Sequence, residues 1–295
     1  MATSPAEVQF PAQNFDLALL SDAGTERDKN EDSAGDFVEN ADSVVFAVAD
    51  GLGGYEGGEV ASSMAIEITL RTYRESPAAW GPARRLYRAV QRANINIHNK
   101  ALSVPELRMM GTTLTVVAVE NGMLFAAHTG DCRLHLVRDG RITQISRDHT
   151  IVAERVRMGL MSARDAREHP ERSVLARCLG HDLIASVDRI SMPLVQDDRL
   201  ILCSDGLHGV IEDHEMEKLT TDVDAATACR RLIDTANQRG TPDNLTCVVF
   251  NMLAPTGHKS VVGWRDRLHA LLIRRWAPRL IAKPSASVGR HPDGR

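Results

Sequence analysis

The chain has 295 residues, 43% of them apolar and 25% charged, and a net charge of −4. Those values suit a soluble globular protein with a large core and give no reason to expect nucleic acid as the main partner. The five cysteines, at 132, 178, 203, 229 and 247, are odd in number and form no CxxC pair. That argues against a disulfide framework or a cysteine-built zinc site and for a reducing compartment, the cytoplasm. The start, MATSPAEVQFPAQNF, has neither the basic end nor the apolar core of a secretory signal.

In chain order, strand-like runs are expected at 15–20 (FDLALL) and 43–49 (SVVFAVA), followed by helical periodicity over 57–75 and 82–101, where Pro82 suits a first helical turn. Strands follow at 113–120, 123–128 and 133–137. Asn121-Gly122 and Asp139-Gly140 stand where a two-residue type I′ turn would link strand patterns. A helix is expected over 150–168, a strand at 199–204, a helix over 224–238 and a last strand at 245–253. Long helices with hairpin-linked strands indicate an α+β fold whose sheets are covered by helices. From Ala254 onward nine Lys or Arg face two Asp, a charge of +7 that leaves −11 on the rest of the chain.

The stretch AVADGLGGYEGGE (47–59) carries Asp50 out of an apolar run into glycines. Asp131 follows FAAHTG, Asp205 follows LILCS, and Asp243 precedes the last strand in TPDNLTCVVF. Asp-Gly is also a common turn dipeptide, so the pattern leaves open whether the four converge. If they do, their repulsion calls for a cation, and an all-oxygen donor set suits Mg²⁺ or Mn²⁺ better than Zn²⁺. Glycine beside a ligand lets a backbone carbonyl approach the metal.

The segments SDAGTERDKNEDS, VADGLGGYEGGEVAS, GTTLTVVAV, HTGDCRLHLVRDGRITQISRDHT, LARCLG, LILCSDGLHGVI and PDNLTCVVF occur in this order. Together, over about residues 15–253, they closely resemble the PP2C (PPM) family of metal-dependent serine/threonine protein phosphatases, bacterial type. The resemblance implies a four-layer αββα sandwich, with 1–14 as a lead-in and 254–295 as a basic extension. It implies that Asp50 bridges two Mn²⁺ or Mg²⁺ ions, that Gly51 offers its carbonyl to one, and that Asp205 and Asp243 ligate the other. Asp131, with Asp205, would hold a third ion. Glu31 and Asp32 would touch the metals mainly through waters, and Arg27 would grip the substrate phosphate. A metal-bridging water would attack phosphorus in line, with no covalent intermediate, so that Ser204 and the cysteines are not nucleophiles.

Leu52 stands where eukaryotic relatives carry a histidine, and Cys132 where serine is usual. Residues 148–180, with arginines 155, 157, 164, 167, 172 and 177, resemble the flap beside the site of bacterial members, a surface suited to phosphorylated peptides or simply a solvated helical face. Thr112 and Thr113 read as packed strand residues, and His128, His135 and His149 as structural histidines. The implied partners are phosphorylated proteins and a cognate serine/threonine kinase, with the phosphatase a monomer.

GLGGYEGGE lacks the Lys-Ser/Thr of a P-loop and the third glycine of a dinucleotide fingerprint, and LCSDG lacks the G-x-S-x-G frame. The alternative is a phosphatase-fold sensor or scaffold without turnover. Such degenerate relatives usually lose metal carboxylates, and Asp50, Asp205 and Asp243 all stand. Within 261–281, Trp264, Leu268, Leu271 and Leu272 share one helical face beside Arg267 and Arg274, although Arg275 intrudes on it. Such a helix suits an anionic membrane surface, a partner, or the protein's own body.

Overall fold

The computed structural model describes residues 14–53, 57–77 and 79–254. In chain order these form β1 (Phe15–Asp22), β2 (Asp32–Asn40), β3 (Ser43–Leu52), α1 (Gly57–Glu75), α2 (Pro82–Ser103), β4 (Gly111–Thr112), β5 (Leu114–Glu120), β6 (Met123–Thr129), β7 (Arg133–Arg138) and β8 (Arg141–Gln144). There follow α3 (Ile151–Arg157), α4 (Ala163–Arg167), β9 (Asp188–Pro193), β10 (Arg199–Cys203), α5 (Asp205–His208), α6 (Asp213–Thr220), α7 (Ala225–Gln238) and β11 (Leu245–Met252). No helix among the described residues is long and apolar enough to cross a membrane. The proposed segment 261–281 lies outside the described residues.

Two antiparallel sheets pack face to face, one in the order β1-β11-β10-β7-β8 and the other β2-β3-β5-β6-β9, with β4 paired to β3. The central strands are apolar without alternation because both of their faces are covered. In β3, Val44, Phe46 and Val48 enter the core between the sheets, while Val45, Ala47 and Ala49 enter the core beneath α1 and α2. In β11, Val248, Phe250 and Met252 face the inter-sheet core, and Leu245, Cys247 and Val249 face α7. The layers are therefore helix, sheet, sheet, helix, as the resemblance implies. The Phe250 ring stacks on Phe15 at 5.6 Å and on Phe46 at 5.9 Å, joining one sheet to the other.

Both expected hairpins form. Glu120 pairs with Met123 and Arg138 with Arg141, and Asn121, Gly122, Asp139 and Gly140 all take positive φ, as type I′ turns require. The helix expected over 150–168 is instead two. Gly159 turns out of α3 at φ +73°, and Ser162 caps α4 by accepting the Asp165 N–H. The short β4 is absent from the sequence reading, and so are β2 and β9, which with β8, implied there only by its Asp139-Gly140 turn, are edges of the sheets. These three edges are half exposed, carry polar residues and lack an apolar signature.

Phe250→Ala removes the ring that joins the sheets. It is expected to lower unfolding free energy by about 3–5 kcal/mol, read as a shift of the urea midpoint at constant slope.

Candidate active site

Antiparallel pairing fixes which strand ends meet. The C-terminal end of β3 carries Asp50 and lies beside the N-terminal end of β2, where Asp32 is its cross-strand partner. Beyond β6, Gly130-Asp131-Cys132 carries the chain across from one sheet to the other, into β7. Asp205 opens α5 directly after β10, and Asp243 precedes β11. All lie at the same end of the sandwich, so the four aspartates singled out in the sequence converge, and Asp32 joins them.

Their charges register the convergence. Burial raises the Asp50 carboxyl well above the usual carboxylate range, and Asp32, Asp205, Asp131 and Asp243 raise it further. Asp131 is raised by burial, then by Asp205 and Asp148. Asp205 is raised by burial and by Asp243, and lowered by its interaction with Asp50. Asp32 is pushed up to about 7, chiefly by burial. Like charges directly opposite across a ladder, such as Asp32 and Asp50, are destabilising unless neutralised.

The supporting contacts come from several loops. The Ser204 hydroxyl donates to Asp32 Oδ2 at 2.6 Å and accepts the Thr246 N–H at 3.0 Å, which fixes the Asp32 carboxyl against the start of β11. Arg27 donates through Nη2 to Asp243 Oδ2 and through Nε to the Pro242 carbonyl, both at 3.0 Å, with its side chain half exposed. Glu31 stands beside Asp50 at the start of α1, its carbonyl accepting the Gly51 N–H at 3.1 Å. A Cβ on Gly58 would come within 2.7 Å of its Oε2, which places that carboxylate over the first turn of α1, where helix N–H groups favour negative charge. A side chain on Gly51 would collide with the carbonyl oxygens of Gly58 and Glu31. Close packing of three segments thus demands glycine there.

Asn244 and His208 escaped the sequence reading as supporting residues, and Thr112 was read there only as a packed strand residue. The Asn244 side chain accepts the Glu31 N–H at 2.8 Å and donates to the carbonyls of Ala23 and Lys29, tying the loop that carries Arg27 to the strand end that carries Asp243. Its position directly after Asp243 was the only signal. The Thr112 hydroxyl donates to the Asp50 carbonyl at 2.8 Å. Half-buried His208, its pKa lowered to about 3 chiefly by desolvation, donates through Nε2 to the Asp131 carbonyl at 3.0 Å. Of the histidines expected to be structural, His128 is held between the Thr115 hydroxyl and the Arg147 carbonyl, and His149 Nδ1 accepts the Gly130 N–H. The Cys132 thiol is buried and kept neutral by burial and by Asp50.

Within 148–180, Arg155 pairs with Glu171, Arg157 with Glu154, and Arg177 with Glu154 and Asp188. Arg164, Arg167 and Arg172 are exposed. Both ends of the segment are rooted beside the site: His149 donates its N–H to the Gly130 carbonyl at 2.8 Å, and Leu179 exchanges backbone hydrogen bonds with Thr112.

The donor chemistry fits hard divalent cations: several buried carboxylates that repel one another and a thiol that stays protonated. Among the described residues, no three His, Cys, Asp or Glu side chains already close around one point as a metal cage. Among the cluster's carboxylates, Asp32 is held by Ser204 and Asp243 by Arg27.

A protein-family profile described as Protein phosphatase 2C matches residues 25–249. The serine/threonine phosphatase stp of Listeria welshimeri is 34% identical over 238 residues, which cover 78% of this chain and 92% of that protein. The crystal structure of the Mycobacterium tuberculosis serine/threonine phosphatase PstP/Ppp superimposes with a TM-score of 0.74 at 34% identity, covering 81% of this chain and 99% of that one. The catalytic domain of PstP in complex with two manganese ions gives 0.71 at 32% identity, covering 81% and 98%.

A carboxyl whose pKa rises from 3.8 to about 7 on folding contributes stability at low pH that is lost as pH rises between those values. Asp148, held low by Arg133, titrates below that window. His128 and His208, whose pKa values fall to about 4 and about 3, act with the opposite sign below about pH 6.5, so the Asp32 effect is read as a difference between two proteins. In EDTA, the urea midpoint of Asp32→Asn is expected to rise relative to wild type from about pH 5 to about pH 8. A difference that stays constant across that range would contradict the raised carboxyl.

Proposed function

The chain belongs to the Protein phosphatase 2C family and is an enzyme of that class, a hydrolase of phosphate monoesters; we propose that it hydrolyses phosphoserine and phosphothreonine in proteins at the carboxylate cluster, with divalent ions. The observation that carries this reading is the convergence of Asp50, Asp131, Asp205 and Asp243 at one end of the sandwich, each raised or ion-paired by its neighbours.

Asp50 and the Gly51 carbonyl would hold one ion, and Asp50, Asp205 and Asp243 the other. Asp131 and Asp205 are the residues for a third. Asp32 and Glu31 would orient waters around them. Two bound divalent ions supply the positive charge that makes a water hydroxide-like near neutral pH and offsets charge on the phosphoryl oxygens. Arg27, half exposed beside Asp243, presents a planar guanidinium to phosphate oxygens. Ser204 and Asn244 hold Asp32 and the Arg27 loop in place.

The exposed arginines 164, 167 and 172 suit phosphorylated peptides carrying further negative charge. Phosphoprotein substrates imply a serine/threonine kinase acting on the same proteins. All five cysteines are free thiols, which supports a reducing compartment such as the cytoplasm.

With a phosphothreonine peptide, turnover is expected to need Mn²⁺ or Mg²⁺ and to stop in EDTA. Residues that merely orient metal ligands already cost 10–100-fold when lost, so Asp205→Asn is expected to lower kcat/KM by at least about 100-fold. A folded protein that binds Mn²⁺ without turnover would favour a sensor instead. Arg27→Ala is expected to raise KM by about tenfold or more, the worth of one charge-assisted contact, with Mn²⁺ binding retained.

A further inference from the structure

Thr113 lies between β4 and β5, fully buried, and its two faces meet two different parts of the site. On one face, its Oγ1 accepts the Asp50 N–H at 2.9 Å, and its own N–H donates to the Asp50 carbonyl at 2.9 Å. The peptide of Asp50 is therefore clasped at both polar groups by a single residue. The same hydroxyl stands 3.2 Å from Cys132 Sγ, directly after Asp131.

The other face touches Gly130, directly before Asp131. Gly130 takes φ +104°, and a side chain there would overlap the Cβ and Cγ2 of Thr113. Thr113 is thus in contact with the residues on both sides of Asp131 while holding the backbone of Asp50. These two carboxylates come from different crossings of the sandwich, one at the end of β3 and one where the chain passes between the sheets.

We propose that Thr113 is a positioning residue that sets the spacing between Asp50 and Asp131, and through it the affinity of the site for divalent cations. The inference rests on the proposed metal-dependent function and adds the residue that tunes it. The hydroxyl is the essential part, because valine reproduces the shape but leaves the Asp50 N–H buried without an acceptor. Serine keeps the acceptor and loses only the methyl that packs on Gly130.

The test is calorimetric titration of Mn²⁺ into purified full-length wild type, Thr113→Val, Thr113→Ser and Thr115→Val, with the urea midpoint of each. Thr115 is the control, since its buried hydroxyl donates to His128 Nδ1 at 2.8 Å and serves no carboxylate. Thr113→Val is expected to weaken Mn²⁺ binding by about 10–100-fold, the range for residues that orient metal ligands. Thr113→Ser and Thr115→Val should bind as wild type does, although Thr115→Val loses stability. If Thr113→Val does not fold, Thr113→Ala, which relieves any crowding, carries the same expectation. Wild-type affinity in the valine or alanine variant, or an equal loss in Thr115→Val, would overturn the positioning role alone. A folded wild type that takes up no Mn²⁺ would overturn the metal reading and this inference together.

Discussion

Repulsion among buried carboxylates is the constraint around which this end of the molecule is organised. Asp32 and Asp50 face each other across a ladder, and the charges of Asp205 and Asp131 act on Asp50 as well. Such a grouping opposes folding unless protons, donors or cations offset the charge. The sandwich tolerates it because the rest of each strand is held firmly. β3 is apolar on both faces, anchored in the inter-sheet core on one side and beneath α1 and α2 on the other. The cost of gathering charge at the strand ends is borne by packing along their length.

What keeps the charged ends in register is a set of hydrogen bonds between segments far apart in sequence. Asn244 ties the loop bearing Arg27 to the start of β11, Ser204 joins the end of β10 to Asp32, and Thr112 holds the Asp50 carbonyl. Each uses a buried, short side chain with few rotamers, so little conformational freedom is lost in fixing it. The segment 148–180 is rooted in the same framework, at Gly130 on one side and Thr112 on the other. Peptides next to two of the carboxylates therefore carry both the metal-ligand candidates and the attachments of the segment proposed to meet substrate.

The central strands, both type I′ hairpins and the long helices α1, α2 and α7 were legible in the sequence, because burial on two faces and positive φ leave strong local marks. Edge strands β2 and β9 were not, since half-exposed backbone pairing needs no apolar pattern. The single helix expected over 150–168 failed at Gly159, where one residue turned back the chain within a continuous helical pattern. In the site, Asp50, Asp131, Asp205 and Asp243 stood out because each ends or begins an apolar run. Asn244 and Thr113 did not, because a buried amide and a buried threonine look the same whether they serve a core or a site.

By itself, the sequence determined the α+β class, the family resemblance and the identity of the carboxylates, all of which are written in residue type and local order. It left open whether those carboxylates meet. Only the tertiary structure decided that, because antiparallel pairing in two sheets brings the ends of β3 and β10, the start of β11 and the crossing after β6 to one side. It also decided why Gly51 is a glycine: the carbonyls of Gly58 and Glu31, from two other segments, leave no room for a side chain. Spacing along a chain records neither kind of proximity.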